Sequence, residues 1–386
     1  MRIKIVYNFS HGEIPKWLKG SVSKTDRRRK SREGSNPSFS AKEIKMKKIK
    51  KRQVFGSIIL VFGLITVFPR PQNFVGENPL RVDKDELPLL IAHGGGNLEF
   101  PDNTLEAYYH AYSLNESVML ETDINLTKDG VVILSHDRSL DQKTNLTYAD
   151  IIDTNYADLV DDEIDFGFNN PISGANGYNT SNTFNKYTNY LGQEVSPLDI
   201  DYPEGIEPRH PTKFLVSTLE ELIIQFPTNL INVEIKQTGE VGLEALTKVI
   251  ELMDELSEEY QTYQRIILAS FHQEVYEALN QLKSTTHKQL MFSPEFNGVL
   301  SFFIMQTTFT SAFYTEPVAA FQLPTEQLGL SLTTKLLINT AHMHNIAVHY
   351  WTINDEETMR ELIEKGVDGI MTDRPSLLQQ VLDTYQ

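Results

Sequence analysis

The architecture follows from residues 118–137, which read Val118-Met-Leu-Glu-Thr-Asp-Ile-Asn-Leu-Thr-Lys-Asp-Gly-Val-Val-Ile-Leu-Ser-His-Asp137. Two apolar runs flank a Lys128-Asp129-Gly130 turn, with no room for a crossover helix, so 118–136 is expected to fold as a β-hairpin. Glu121 and Asp123 stand two apart on the first arm, so both carboxylates leave the same face. A two-residue Asp129-Gly130 turn would set His136 opposite Asp123; a four-residue turn would set it opposite Glu121. Either register brings a histidine beside the acidic pair.

Outward from this hairpin, short apolar runs alternate with helical patterns, the signature of βα units on a parallel sheet. Strands are expected at 88–92, 118–124, 231–236, 265–270, 289–293, 318–323, 346–353 and 367–372. Helices are expected at 104–114, 218–226, 241–258, 273–283, 325–344 and 355–365. Eight such units over about 300 residues make a (β/α)₈ barrel in the α/β class, with the hairpin extending its second strand. Residues 141–213 break the rhythm with Asn, Asp, Tyr, Gly and Pro, and are expected as a loop-rich insertion over the barrel mouth.

The N-terminus has a different character. Residues 1–52 hold 17 Lys+Arg against 4 Asp+Glu, a net of +13, while the whole chain carries −17, which leaves −30 for the remainder. So acidic a domain is not expected to bind nucleic acid. Residues 1–45 are basic, Ser-rich and aperiodic, the composition of disorder. Met46 followed by Lys47-Lys48-Ile-Lys50-Lys51-Arg52 also has the form of a translation start, which would leave 1–45 untranslated. Val54–Phe68 is uncharged and would span about 22 Å as a helix, so 46–69 is expected as a signal or membrane-anchor segment. That puts the catalytic domain outside the cytoplasm, anchored or secreted. Residues 70–87 are expected as a linker, and 88–386 as the barrel. The absence of cysteine excludes disulfides, thiolate metal sites and a Cys nucleophile.

Four acidic or basic side chains occupy alternate strand positions: Glu121 and Asp123, then Glu234 and Lys236 in Asn232-Val-Glu-Ile-Lys236. Apolar neighbours alternate with them. Like charges on one inward face are costly unless a cation offsets them, and a hard divalent ion with oxygen ligands does so. His93 ends the first barrel strand and His136 ends the hairpin arm. Two groups titrating near neutral pH at such positions suit general acid–base work.

The order His93, Pro101-Asp102-Asn103-Thr104, Glu121-Thr-Asp123, Thr127-Lys-Asp-Gly130, His136-Asp137, Asn232-Val-Glu-Ile-Lys236 and Trp351-Thr-Ile-Asn354 resembles the glycerophosphodiester phosphodiesterase family over residues 88–378. The resemblance implies metal-dependent hydrolysis of glycerophosphodiesters to glycerol 3-phosphate and an alcohol. It implies one divalent cation, Ca²⁺ or Mg²⁺, on Glu121, Asp123 and Glu234, and His93 and His136 as the acid–base pair. Lys236 is implied for the substrate phosphate or the carboxylates, and Trp351 for the wall of a glycerol pocket. Asp102 and Asn103 would support His93 from behind, although Thr104 as a helix N-cap explains that turn structurally.

The pattern departs from the family at Gly94, where an arginine usually follows the first histidine. Glycine offers only a backbone N–H to phosphate, so the missing cation would come from Lys236, Arg138, Lys143 or Arg209. If position 94 is empty space, Gly94→Arg should tighten phosphate binding. The expected substrates are deacylated phospholipid, lysophospholipid or a glycerol-phosphate polymer. An inactive barrel binding such ligands, or a related phospholipase-type phosphodiesterase, is the alternative. Asp373-Arg374-Pro375 reads as the structural start of the last helix, and His342, His344 and His349 as structural.

Overall fold

Strands alternate with helices along the chain: β1 (Leu89–Ala92), β2 (Met119–Leu126), β3 (Val132–Leu134), β4 (Ile231–Ile235), β5 (Ile266–Ala269), β6 (Met291–Phe292), β7 (Ala320–Leu323), β8 (Glu326–Gln327), β9 (Leu330–Ser331), β10 (Ala347–Tyr350) and β11 (Gly369–Thr372). The structure is a computed structural model and describes residues 70–146, 149–161, 163–168 and 186–386. The segment 46–69, expected as a signal or anchor, and the basic residues 1–45 lie outside the described residues. Among the described residues no helix is long and apolar enough to cross a membrane.

Eight strands pair in parallel in the order β6-β5-β4-β2-β1-β11-β10-β7. The gap between β6 and β7 is bridged by the Ala319 N–H, which donates to the Phe292 carbonyl at 3.0 Å, so the sheet closes nearly into a barrel. All eight expected barrel strands are present. Their two faces are both apolar because both are covered. Ile91, Met119, Ile267, Met291, Ala320, Ala347 and Met371 fill the barrel interior. Leu90, Leu120, Val233, Leu268, Phe321, Val348 and Ile370 pack outward in the larger core.

The hairpin forms, with a register neither expectation contained. β3 pairs antiparallel with β2 through Ile124↔Leu134, Asn125↔Ile133 and Leu126↔Val132, and Thr127 N–H donates to Val131 O at 3.0 Å. The turn is therefore three residues, Lys128-Asp129-Gly130, with Gly130 at φ 82°. Continued straight, this register would put His136 opposite Thr122, on the wrong face. The ladder runs on to Ser135, whose N–H donates to Asp123 O at 2.9 Å, and the chain bends at His136 instead. The Asn125 amide donates to the carbonyls of Ser135 (2.8 Å) and Asp137 (3.3 Å), and this clasp turns His136 inward.

Two other expectations are corrected. Residues 326–331 do not join a helix running from 325 to 344: Leu328 (φ 52°) and Gly329 (φ 75°) make a two-residue hairpin turn between β8 and β9. The helix begins only at Lys335, capped by Thr334. Residues 70–87 are no free linker, because the bottom of a barrel exposes its inner layer and strand-end carbonyls. Phe74 and Leu80 are buried in that layer, while the Asn73 and Asn78 amides donate to the carbonyls of Glu316 (2.7 Å) and Ala319 (2.8 Å). A helix at Phe296–Thr307 was not anticipated, since its Val, Leu, Phe, Ile and Met side chains leave no polar face to set a helical period.

Candidate active site

The strand ends at the C-terminal face surround a pocket of about 210 Å³ bordered by His93, Glu121, His136, Glu234, Lys236, Phe271 and Trp351. This is the face on which a (β/α)₈ barrel keeps its site. A larger cavity of about 570 Å³, bordered by Asn73, Phe74, Lys283 and Met291 at the opposite end, touches none of the candidate residues.

Adjacent parallel strands set the charged floor. Asp123 on β2 stands in register with Glu234 on β4, and one oxygen from each of Glu121, Asp123 and Glu234 lies within 4.8 Å of the others. Lys236 reaches back between them, with Nζ 2.9 Å from Asp123 Oδ1 and 2.8 Å from Glu234 Oε1. The three carboxylates fit a divalent cation, being hard oxygen donors of high charge on converging strands. Their electrostatics agree. Burial, with Asp123 and Glu234 adding to it, pushes the Glu121 carboxyl up to about 8. For Asp123 burial acts upward too, but Lys236, His136 and His93 outweigh it and hold the carboxyl well below the usual range. Burial would lower the Lys236 ammonium, and Asp123 and Glu234 overcome it, so lysine stays charged.

His93 is oriented from both sides. Its Nδ1 meets Asp373 Oδ1 at 2.6 Å, and its Nε2 lies 4.0 Å from Glu121 Oε2. Burial opposes the charged ring, but Asp373 and then Glu121 outweigh it and raise His93 to about 10. His136 also borders the pocket, part-exposed, with Nδ1 3.2 Å from Asp137 Oδ1. Burial again opposes protonation and is outweighed, by Asp137 and Asp123. Trp351 and Phe271 meet edge-on at 5.9 Å across the mouth.

Asn103 is held at φ 55° and its side chain braces the floor. Oδ1 accepts from the Thr122 hydroxyl (2.8 Å) and the Asp123 N–H (2.9 Å), and Nδ2 donates to Asp102 (2.9 Å) and Asp123 (3.2 Å). Asn103 thus steadies Asp123 rather than His93. Asp102 pairs with Lys143 at 3.3 Å. Of the three alternative cations, Lys143 is tied to the neighbour of Gly94 through Asp102; Arg209 is bound to Glu106 (2.9 Å) and the carbonyls of Leu215 and Val216, and Arg138 is exposed.

Gly94 does not face empty space. Its N–H donates to Glu121 Oε2 at 2.8 Å, its φ is +55°, and a Cβ there would lie 2.9 Å from Asp102 Cβ. Gly94→Arg is therefore expected to destabilise the fold by about 1–2 kcal/mol from the left-handed backbone alone, without tightening phosphate binding. A thermal melt and a phosphate titration check this; tighter phosphate binding at an unchanged melting temperature would show that the site makes room.

Asp373 is the residue that sequence reasoning passed over. Closing the barrel pairs β11 with β1, Thr372 beside Ala92, so the residue after β11 must neighbour His93. That strand pairing was the available signal. Asn232 and Gln322 also border the pocket; Asn232 opens the Asn232-Val-Glu-Ile-Lys236 motif but was given no role, and no motif marked Gln322.

Comparison with known proteins places these features in a wider set. A model of the glycerophosphoryl diester phosphodiesterase family matches residues 93–377. The chain is 25% identical over 323 residues to the human lysophospholipase D GDPD1, covering 76% of this chain and 86% of that protein. It is 23% identical to the glycerophosphodiester phosphodiesterase of Bacillus subtilis, covering 87% of this chain and all of the relative. Among solved structures, a Parabacteroides distasonis glycerophosphoryl diester phosphodiesterase superposes with a TM-score of 0.53 at 15% identity, covering 79% of this chain and 89% of its own. An Oleispira antarctica phosphodiesterase in complex with the product sn-glycerol-3-phosphate superposes at 0.52 and 19% identity, covering 77% and 97%.

Proposed function

The chain belongs to the glycerophosphoryl diester phosphodiesterase family, a family of phosphoric diester hydrolases, and we propose that it cleaves glycerophosphodiesters to glycerol 3-phosphate and an alcohol with His93 and His136 as its proton-transfer pair. The observation that carries this reading is the pair of histidines bordering one pocket, over a floor of three carboxylates and Lys236. A substrate glycerol hydroxyl attacks phosphorus as one histidine takes its proton, and the other histidine protonates the leaving alcohol. The cyclic phosphate is then opened by water with the proton movements reversed. Lys236 lies where it would face a phosphoryl oxygen while offsetting Asp123 and Glu234. Glu121, Asp123 and Glu234 would hold a divalent cation, which supplies charge stabilisation to the phosphoryl group when bound.

The sequence supports placing this chemistry outside a membrane, anchored or secreted, because Lys47–Arg52 precede the uncharged run Val54–Phe68. The catalytic proposal is tested with chelator-treated protein, following glycerol 3-phosphate release from glycerophosphocholine with and without Ca²⁺ or Mg²⁺. Release that requires the ion is expected; release unaffected by chelation would remove the cation from the mechanism.

The same material tests the charge arrangement. With Glu121 pushed up to about 8, its carboxyl keeps a proton at pH 7 in metal-free protein, and cation binding must expel it. Apparent affinity should therefore rise with pH between about 6 and 8, with release of about one proton per ion, read by calorimetry in buffers of different ionisation enthalpy. An affinity flat across that range would contradict the arrangement.

A further inference from the structure

Two buried polar atoms of opposite type border the catalytic pocket without a partner. Asn232 is 2% exposed, and its Oδ1, an acceptor, takes no hydrogen bond; the Nε2 of Gln322, a donor, makes none. Both residues border the pocket. Asn232 lies on β4 in register with Glu121 and two residues before Glu234, so it shares the inward face at the level of Glu121, one layer deeper than Asp123 and Glu234. Gln322 lies on β7, and its amide is pinned because Oε1 accepts from Ser293 Oγ at 3.1 Å. A serine hydroxyl donates or accepts, so this contact holds one end of the amide and leaves the other polar end unpaired, where a hydroxyl can meet it in either sense.

Orphaned buried polar groups are rare and costly, so two on one pocket floor call for a ligand that satisfies both. An alcohol hydroxyl is donor and acceptor at once. Resting on the phosphodiesterase reading, we infer that Asn232 and Gln322 bind the terminal hydroxyl of the substrate's glycerol, the one that does not attack phosphorus. The glycerol end of the substrate then occupies the floor at the level of Glu121, below Asp123 and Glu234, and the leaving alcohol points past Trp351 and Phe271 to the mouth. The site selects a free diol and is indifferent to the alcohol, which favours deacylated glycerophosphodiesters over lysophospholipids acylated at that hydroxyl.

The test compares glycerophosphocholine with 2-hydroxypropyl phosphocholine, which keeps the attacking hydroxyl and replaces the terminal CH₂OH by methyl. Native protein should favour the glycerol substrate about 10- to 100-fold in kcat/KM. Gln322→Met should bring that ratio to within a few-fold of one. Gln322→Glu, which keeps the acceptor toward Ser293 and removes the donor, is the second variant should methionine disturb folding. Equal turnover of both substrates by the native protein, or a parallel fall for both in the variants, overturns the inference. A calorimetric arm uses sn-glycerol 3-phosphate, propane-1,2-diol 1-phosphate and inorganic phosphate, and needs no turnover. Discrimination between the two esters that disappears in Gln322→Met upholds the inference even where hydrolysis fails. Equal affinities for both esters, or an equal loss of inorganic phosphate binding in the variant, overturn it while leaving the phosphodiesterase reading intact.

Discussion

His136→Ala is expected to lower kcat by about 10²- to 10⁴-fold, the usual contribution of a positioned proton-transfer group, while divalent-ion affinity stays within a few-fold. The separation follows from where the side chain sits. The three carboxylate oxygens that converge come from Glu121, Asp123 and Glu234, while a ring nitrogen of His136 meets Asp137. The side chain is 30% exposed, and Asp123, which it helps to hold ionised, keeps Lys236 at 2.9 Å, so truncation opens the pocket wall to water and leaves that carboxylate paired. Folding should therefore survive, and the loss should fall on the chemical step. Single-turnover rates with glycerophosphocholine, set beside calorimetric Ca²⁺ binding, make the comparison. A variant with near-native kcat would remove His136 from the proton-transfer pair. Loss of ion affinity in step with rate would make it a structural support of the acidic floor.

The barrel was legible because both signals it depends on are local. Eight β-rich apolar runs separated by helical periods need no knowledge of distant contacts, and alternation along β2 and β4 assigns Glu121, Asp123, Glu234 and Lys236 to one face. Precision was lost where a long-range contact overrides the local rule. The register of β3 against β2 would send His136 to the wrong face, and only the side chain of Asn125, clasping carbonyls beyond the strand end, turns it back. Residues 70–87 look like a linker because their apolar members are sparse; Phe74 and Leu80 are buried in a layer drawn from strands all along the chain, from Ile91 to Met371. Asn232 stands in a motif read only for Glu234 and Lys236, and Gln322 stands in none, since an unpaired amide is recognisable only once its surroundings are known. Gly94 was visible as a departure from the family pattern, but the obstacle behind it, Asp102 Cβ, depends on how the loop after β1 folds back.

Asp373→Asn is the second substitution with a large expected effect, and it tests a contact that exists only because β11 closes against β1. Both carboxylate oxygens of Asp373 accept: Oδ1 faces His93 Nδ1 at 2.6 Å, and Oδ2 takes the Asn354 amide at 2.7 Å. An asparagine cannot accept on both sides. If its oxygen stays toward His93, its NH₂ opposes the Asn354 NH₂, donor against donor. If it turns round, the NH₂ donates to Nδ1 and forces the His93 proton onto Nε2, the nitrogen on the Glu121 side. The first outcome loosens the ring, and the second gives the wrong tautomer for proton exchange at Nε2. Either is expected to lower kcat by about 10²- to 10⁴-fold with a much smaller change in KM. The charge effect has a definite sign. Asp373 is the largest influence holding His93 up near 10 against burial, so its neutralisation must move the His93 titration downward. The pH–rate profile and the imidazole resonances of metal-free protein should both report that shift. A near-native rate with His93 titrating as before would reduce Asp373 to the residue that begins the last helix. A lowered rate without the shift would mean that Asp373 acts on geometry alone. The expected result, both changes together, makes Asp373 a positioning residue that fixes the tautomer and charge of His93 from outside the pocket.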